Sequence, residues 1–159
     1  MNDESHDTAN IMLPAPVIYL GALALSVVAK LLFRSALLPS ALAGVRRLGG
    51  VKLLLGGLAL MGWSLKAMRQ HGTSPIPEQP TTALVEDGPF RYSRNPIYLG
   101  MTMIYTGITL LLNNLWGIVL LPAVLTAMRR GVIEREEEYL MERFGKSYAD
   151  YMRRVRRWF

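Results

Sequence analysis

Residues 97–128 form an unbroken run without a single charged side chain. A helix needs about 20 apolar residues to cross the hydrocarbon core of a bilayer, so this run is too long for one ordinary span and too short for two full ones. Asn113 and Asn114 lie near its middle and are typical turn residues. The run therefore predicts a compact hairpin of two short or tilted membrane helices. Such a hairpin brings residues 69–96 and residues 129–159 to the same membrane face.

Two further apolar segments precede this hairpin. Residues 11–33 are apolar except for Lys30, and residues 48–68 form a second stretch that is rich in glycine. Each is long enough to cross a bilayer, so residues 11–68 are predicted to hold two spans. Glycine allows helices in lipid to approach each other closely, which suggests tight packing for the second span. The chain is thus predicted to be one all-α domain over residues 1–159, an integral membrane protein with about four transmembrane helices.

Composition excludes several kinds of site. The chain has no cysteine and only two histidines, His6 and His71, so disulfides and metal sites are not expected. Residues 1–10 are polar and are expected to be disordered. Lys and Arg outnumber Asp and Glu by 18 to 12, and basic residues concentrate near the C-terminus. Beside membrane spans, that basic tail favours contact with anionic membrane lipids over nucleic acid.

The basic residues also predict an orientation. Arg91, Arg94 and the arginines of residues 129–159 fall on the membrane face that the hairpin defines. The positive-inside rule makes that face cytoplasmic, although Arg46 and Arg47 lie on the opposite side and count against this orientation. We therefore predict a multi-pass protein whose functional face points to the cytoplasm.

Residues 129–159 are predicted to form cytosolic C-terminal helices. Their apolar residues fall close to helical spacing, at Ile133, Leu140, Phe144, Tyr148 and Val155. Glu137 interrupts this stripe and Glu136 lies at its edge. A carboxylate on such a face is costly unless it meets a cation or hydrogen-bond donors. An ion pair with Arg91 or Arg94 would satisfy it structurally, whereas a ligand contact would give it a functional role.

The loop over residues 69–96 is the other candidate for chemistry. It contains five prolines, which exclude a regular helix, and loops of this length are commonly functional or disordered. Arg94 is a planar fork donor suited to a carboxylate, and Pro96 is well placed to start a helix. Taken alone, the loop also fits a basic interfacial segment with an aromatic anchor.

The run from Gly88 to Gly100, GPFRYSRNPIYLG, resembles the signature of the isoprenylcysteine carboxyl methyltransferase family, which shares its pattern with phospholipid N-methyltransferases. The resemblance continues through Glu136-Glu137, Phe144-Gly145, Tyr148, Tyr151 and Val155, and covers roughly residues 69–159. It implies that S-adenosylmethionine binds between the loop and the C-terminal helix. The residues that the resemblance implies as cofactor contacts are Thr82, Ala83, Leu84, Val85, Phe90, Asn95, Pro96, Ile97, Tyr98 and Glu136, and the helical periodicity adds Glu137.

We predict catalytic roles for Arg94, Asn95 and Tyr98. Many relatives have histidine where this chain has Asn95, and asparagine takes up no proton at physiological pH, which argues against a general base there. The eukaryotic enzymes carry a substrate-binding arginine four residues before the glutamate, where this chain has Val132. An aromatic face such as Tyr98 suits the sulfonium of the cofactor by cation–π attraction.

Four functions remain open from the sequence. The favoured one is methyl transfer to a lipophilic carboxylate, and the second is methyl transfer to a lipid amine. The third is an NADPH-dependent membrane reductase, because sterol reductases end in a loosely similar hairpin and loop. The fourth is a non-enzymatic membrane scaffold with a basic tail.

Overall fold

A computed structural model of the chain describes residues 13–74 and 81–158. In those two ranges the chain is helical and has no strand. The predicted disordered tail and the prolines Pro75, Pro77 and Pro80 lie outside them. The helices are α1 (Ala15–Phe33), α2 (Ala43–Gln70), α3 (Pro96–Leu111), α4 (Leu115–Met128), α5 (Glu134–Phe144) and α6 (Lys146–Arg154), with short 3₁₀ turns at Ser40–Leu42 and Gly88–Arg91 and a π-helical turn at Arg129–Ile133.

Three helical stretches are long and apolar enough to cross a membrane. They are Ala15–Phe33, Ser40–Gln70 and the continuous stretch Leu115–Phe144. Helix α3 is apolar but only 16 residues long, as expected for the first arm of a short hairpin. The hairpin and its turn agree with the prediction from residues 97–128, while the count of four spans stays a prediction.

Helices α2 and α3 pack through glycines at two crossing points. At one crossing, a methyl group built on Gly57 would lie 2.6 Å from the carbonyl oxygen of Gly100. At the other, a methyl group on Gly107 would lie 2.8 Å from the carbonyl oxygen of Gly50. Backbones in such close contact leave no room for a side chain, so the prediction that glycine serves tight helix packing is confirmed.

The far end of the hairpin is closed by polar side chains from other segments. Arg46 donates to the carbonyls of Leu110 and Leu111, and Lys30 donates to the carbonyl of Leu112. These are carbonyls that the end of a helix leaves without intrahelical partners. Arg46 lies within α2 and is buried, so the helix that contains the second apolar stretch begins before residue 48.

The helical stretch that begins with α4 continues without a break into α5. α1 packs against α3 and α4 through a core that includes Tyr19, Tyr105 and Met128. The π-helical turn then joins α4 to α5. Gly145, with φ +51°, ends α5 and lets α6 start in a new direction. The apolar stripe that the sequence placed on one periodic face is thus divided between two helices, which fold back over the loop.

Candidate functional site

A cavity of about 140 Å³ lies between the loop that precedes α3, the end of α2, and helices α5 and α6. Apolar groups form most of its wall, and the ionisable side chains of Arg94, Glu136 and Glu137 also line it. The full lining is Met68, Thr73, Ser74, Thr81, Ala83, Leu84, Val85, Phe90, Arg94, Asn95, Pro96, Ile97, Tyr98, Glu136, Glu137, Tyr139, Leu140, Tyr148 and Tyr151. Such a site, apolar with a few convergent polar groups, is typical of small-molecule binding.

The upper rim of the cavity is held by hydrogen bonds to the backbone of the loop. The amide of Thr81 donates to the Tyr139 hydroxyl at 3.1 Å, and the amide of Thr82 donates to the Thr73 hydroxyl at 3.1 Å. The Thr82 hydroxyl donates to the carbonyl of Gly72 at 3.0 Å. These contacts tie the loop to the residues that follow α2 and to α5.

The start of α3 forms the floor of the cavity. Pro96 is the first residue of the helix, where its missing N–H costs nothing. The Ser93 hydroxyl accepts from the amide of Asn95 at 3.1 Å, and the side-chain amide of Asn95 donates to the carbonyl of Arg157 at 3.0 Å. Asn95 is therefore buried with its donor committed to another segment, which suits a residue that fixes the turn.

Glu136 faces the first turn of α3. The Tyr98 hydroxyl donates to its carboxylate at 2.5 Å, a short charge-assisted hydrogen bond. The carbonyl of Tyr98 in turn accepts from the Thr102 hydroxyl at 2.8 Å and from the Tyr19 hydroxyl at 3.3 Å. Tyr98 is thus held to α1 through its backbone carbonyl and holds the Glu136 carboxylate through its hydroxyl.

Glu137 lies between two arginines. Arg157 donates to both of its carboxylate oxygens, at 3.0 and 2.6 Å, and Arg94 Nη2 lies 3.2 Å from one of them. The ion pair with Arg94 was the structural explanation considered for this residue, and the contact is present. Arg94 Nε and Nη1 are also buried, and neither has a hydrogen-bond partner among the described residues.

Two tyrosines of α6 close the remaining side. The Tyr151 hydroxyl donates to the carbonyl of Phe90 at 2.7 Å and so holds the 3₁₀ turn against the helix. Burial raises the pKa of the Tyr148 hydroxyl to about 12, and the nearby Glu137 carboxylate adds to this effect. Burial also raises the pKa of Tyr151. Both hydroxyls therefore stay protonated and neutral at physiological pH.

The structure brings nearly all of the predicted site residues to one cavity. Thr82 is the exception, because its side chain is exposed and its hydroxyl is held by Gly72 on the outside of the loop. The cavity also contains residues that the prediction did not include, namely Met68, Thr73, Ser74, Thr81, Tyr139, Leu140, Tyr148 and Tyr151. Leu140 and Tyr148 lie on the apolar stripe of the C-terminal segment, so the stripe that marked a buried face also marked part of the cavity wall.

Comparisons with known proteins identify a family and two relatives. The phospholipid methyltransferase family matches residues 45–147, which is more than half of the chain. Two relatives, from Schizosaccharomyces pombe and Saccharomyces cerevisiae, carry the name protein-S-isoprenylcysteine O-methyltransferase. Each is 38% identical over 72 residues, which are 45% of this chain and 30% of the relative. The match thus spans less than a third of the length of either relative.

No solved structure matches the chain at a significant level. The family match extends from the start of α2 into the start of α6 and includes most of the cavity wall. The resemblance seen in the run from Gly88 to Gly100 is confirmed. This chain belongs to the phospholipid methyltransferase family.

Proposed function

We propose that this chain is a multi-pass membrane enzyme that transfers a methyl group from S-adenosylmethionine to a lipophilic acceptor, with a carboxylate as the favoured acceptor. The observation that carries the proposal is that Glu136 and Arg94 line the same cavity at the start of helix α3. Family membership favours this function over a reductase or a scaffold. The cavity is proposed to open on the cytoplasmic side, as the distribution of basic residues predicts.

The donors and acceptors in the cavity fit the cofactor. S-adenosylmethionine carries a carboxylate, an amino group, a sulfonium and an adenosine. Arg94 has two buried nitrogens without a partner among the described residues, which suit a carboxylate. The Glu136 carboxylate, held by Tyr98, suits an amino group or hydroxyls. Leu84, Val85 and Phe90 offer apolar surface to the adenine.

When bound, the cofactor supplies the activated methyl group. The protein then has to orient the acceptor and exclude water. Orientation alone can lower a barrier by about 7–11 kcal/mol. Tyr98 contributes in two ways, because its hydroxyl fixes Glu136 and its ring can attract a sulfonium. A carboxylate acceptor needs no general base, which agrees with the commitment of the Asn95 amide to the carbonyl of Arg157.

A lipid amine is the second candidate acceptor. Val132 occupies the position where the eukaryotic enzymes carry a substrate-binding arginine, and it is completely buried beside Met128. No cation is therefore available at that position to hold an acceptor carboxylate. An amine acceptor would first have to lose a proton, and the cavity would have to accept it.

Binding of S-adenosylhomocysteine to purified variants tests the cofactor site. Glu136→Gln removes the charge and keeps the shape, and we expect its affinity to fall about tenfold or more, because hydrogen bonds to charged groups contribute about 1.5–3 kcal/mol. Glu138→Gln is the matched control, since Glu138 is exposed on the same helix. An unchanged dissociation constant in folded Glu136→Gln protein would remove Glu136 from the site.

Product analysis decides between the two acceptors. The protein is incubated with radiolabelled S-adenosylmethionine and either an S-farnesylated N-acetylcysteine or phosphatidylethanolamine vesicles. A carboxyl methyl ester releases methanol in base, whereas an N-methyl group is stable. Base-stable label on the vesicle lipid, with none on the prenylated acid, would replace the favoured acceptor with the amine.

A further inference from the structure

The segment that follows α6 lies on the turn that precedes α3. The carbonyl of Arg156 accepts from the amide of Arg94 at 3.0 Å. The carbonyl of Arg157 accepts from the Ser93 hydroxyl at 3.2 Å and from the side-chain amide of Asn95 at 3.0 Å. Three consecutive residues of the turn are therefore fixed by two consecutive carbonyls.

The Arg157 side chain reaches the same place from the other direction. Its guanidinium makes a two-point contact with the Glu137 carboxylate, and its Nη1 lies 3.6 Å from the Glu134 carboxylate. The Arg157 side chain is about one quarter exposed, while those of Glu137 and Arg94 are only 14% and 11% exposed. The contact therefore lies at the edge of the cavity, where it is partly shielded from water.

The contact between Arg157 and Glu137 determines how many nitrogens of Arg94 can contact Glu137. A carboxylate and a guanidinium that are both buried pair preferentially through two parallel hydrogen bonds. Here Arg157 occupies that two-point position on Glu137, and Arg94 keeps a single contact with Glu137 through Nη2. Nε and Nη1 of Arg94 remain without a partner among the described residues. Without Arg157, Glu137 would be free to take two of the donors of Arg94.

We propose that Arg157 is a positioning residue, which engages Glu137 and thereby leaves Nε and Nη1 of Arg94, unpartnered among the described residues, to donate to the carboxylate of the cofactor. This inference rests on the proposed function and assigns Glu137 to the positioning of Arg94 in place of direct ligand contact. The carbonyls of residues 156 and 157 hold the turn, and the Arg157 side chain directs the guanidinium. The segment after α6 does not line the cavity, but it supports the binding site by holding the turn and Arg94 in place.

Hydrogen–deuterium exchange tests the positioning without any ligand. In Arg157→Gln, the side-chain contact that anchors the segment to Glu137 is lost, and we expect the peptide that covers residues 92–98 to exchange about tenfold faster, as for the loss of one charge-assisted contact. Arg157→Lys should give an intermediate rate, because lysine keeps the charge but not the two-point geometry. Arg153→Gln is the control, since its side chain is 76% exposed on α6. Equal exchange in Arg157→Gln and Arg153→Gln would overturn the proposal.

Ligand binding tests the consequence for Arg94. Dissociation constants are measured for S-adenosylhomocysteine and for its decarboxylated analogue, S-adenosyl-3-thiopropylamine. Arg157→Gln should weaken the first about tenfold and the second less than about twofold, because only the first has a carboxylate for Arg94 to hold. Equal weakening of both ligands, or of neither, would contradict the positioning role. If the unmodified protein binds neither ligand, the proposed function fails, and the exchange experiment alone decides the role of Arg157.

Discussion

Substitution of Gly57 by alanine should separate the two helices that carry the site. The added methyl group would lie 2.6 Å from the carbonyl oxygen of Gly100 and 2.9 Å from Cγ1 of Ile104. Ordinary carbon–oxygen contacts begin at about 3.3 Å, so α2 and α3 must move apart by about 0.7 Å at this crossing. The obstacle is backbone on the α3 side and cannot be avoided by rotating a side chain. Overpacking of this kind costs about 1–3 kcal/mol.

The measurement is unfolding of detergent-solubilised protein, with a matched alanine elsewhere on the same helix. Gly62→Ala is that control, because no atom lies within 4 Å of the added methyl group. Alanine exceeds glycine in helix propensity by about 0.8–1 kcal/mol, so the control should be as stable as the parent or more stable. Since Met68 of α2 and the first turn of α3 both line the cavity, Gly57→Ala should also weaken S-adenosylhomocysteine binding. Equal stability of the two variants would refute the close helix crossing.

Three further predictions concern single contacts. Tyr98→Phe removes the donor to Glu136 and should weaken S-adenosylhomocysteine about tenfold in calorimetry; an unchanged affinity would mean that this bond is not used. Arg46→Gln should lower the free energy of unfolding by about 1.5–3 kcal/mol, whereas Arg47→Gln, on an exposed side chain, should change it by less than about 0.5 kcal/mol; equal effects would contradict the helix cap. Burial raises the pKa of Tyr148 from 10.0 to about 12. The neutral hydroxyl therefore makes its full contribution to the free energy of unfolding below about pH 10, and this contribution is lost as the pH rises towards 12. Between about pH 10 and pH 12 the free energy of unfolding should therefore fall less in Tyr148→Phe than in the parent protein. The same fall in both proteins would contradict the raised pKa of Tyr148.

The membrane part of the fold could be predicted because lipid imposes simple rules on sequence. A charge-free run with two asparagines in its middle has few solutions other than a short hairpin, and the structure turns at Asn113, with φ +50°. The glycines of α2 could also be interpreted without knowledge of their partners. What the sequence did not show is which glycines of α3 they meet, since that depends on the register between two distant segments.

The misplaced start of α2 has a definite physical cause. The sequence analysis began the second apolar stretch at residue 48, directly after the two consecutive arginines Arg46 and Arg47. Arg46 instead lies buried within the helix, because two carbonyls at the end of α3 accept hydrogen bonds from its guanidinium. This compensation comes from a segment more than 60 residues away, so local sequence does not show it.

The sequence predicted which neighbouring residues would share the cavity, but not which distant residues would join them through folding. The run from Phe90 to Tyr98 and the two glutamates could be identified from one continuous motif and one helical stripe. Thr82 was assigned to the cofactor site through the family resemblance, but its side chain is exposed and its hydroxyl donates to the carbonyl of Gly72. The contact of Arg157 with Glu137 was not predicted, because Gly145 turns α6 back over the loop in a way that helical periodicity does not show.

Calorimetric titration of the unmodified, detergent-purified protein tests the central claim most directly. S-adenosylhomocysteine and NADPH are titrated separately into protein whose folding has been verified by its unfolding transition. The account predicts saturable binding of S-adenosylhomocysteine and no heat of binding for NADPH. Binding of NADPH alone, or of neither ligand to folded protein, would contradict it.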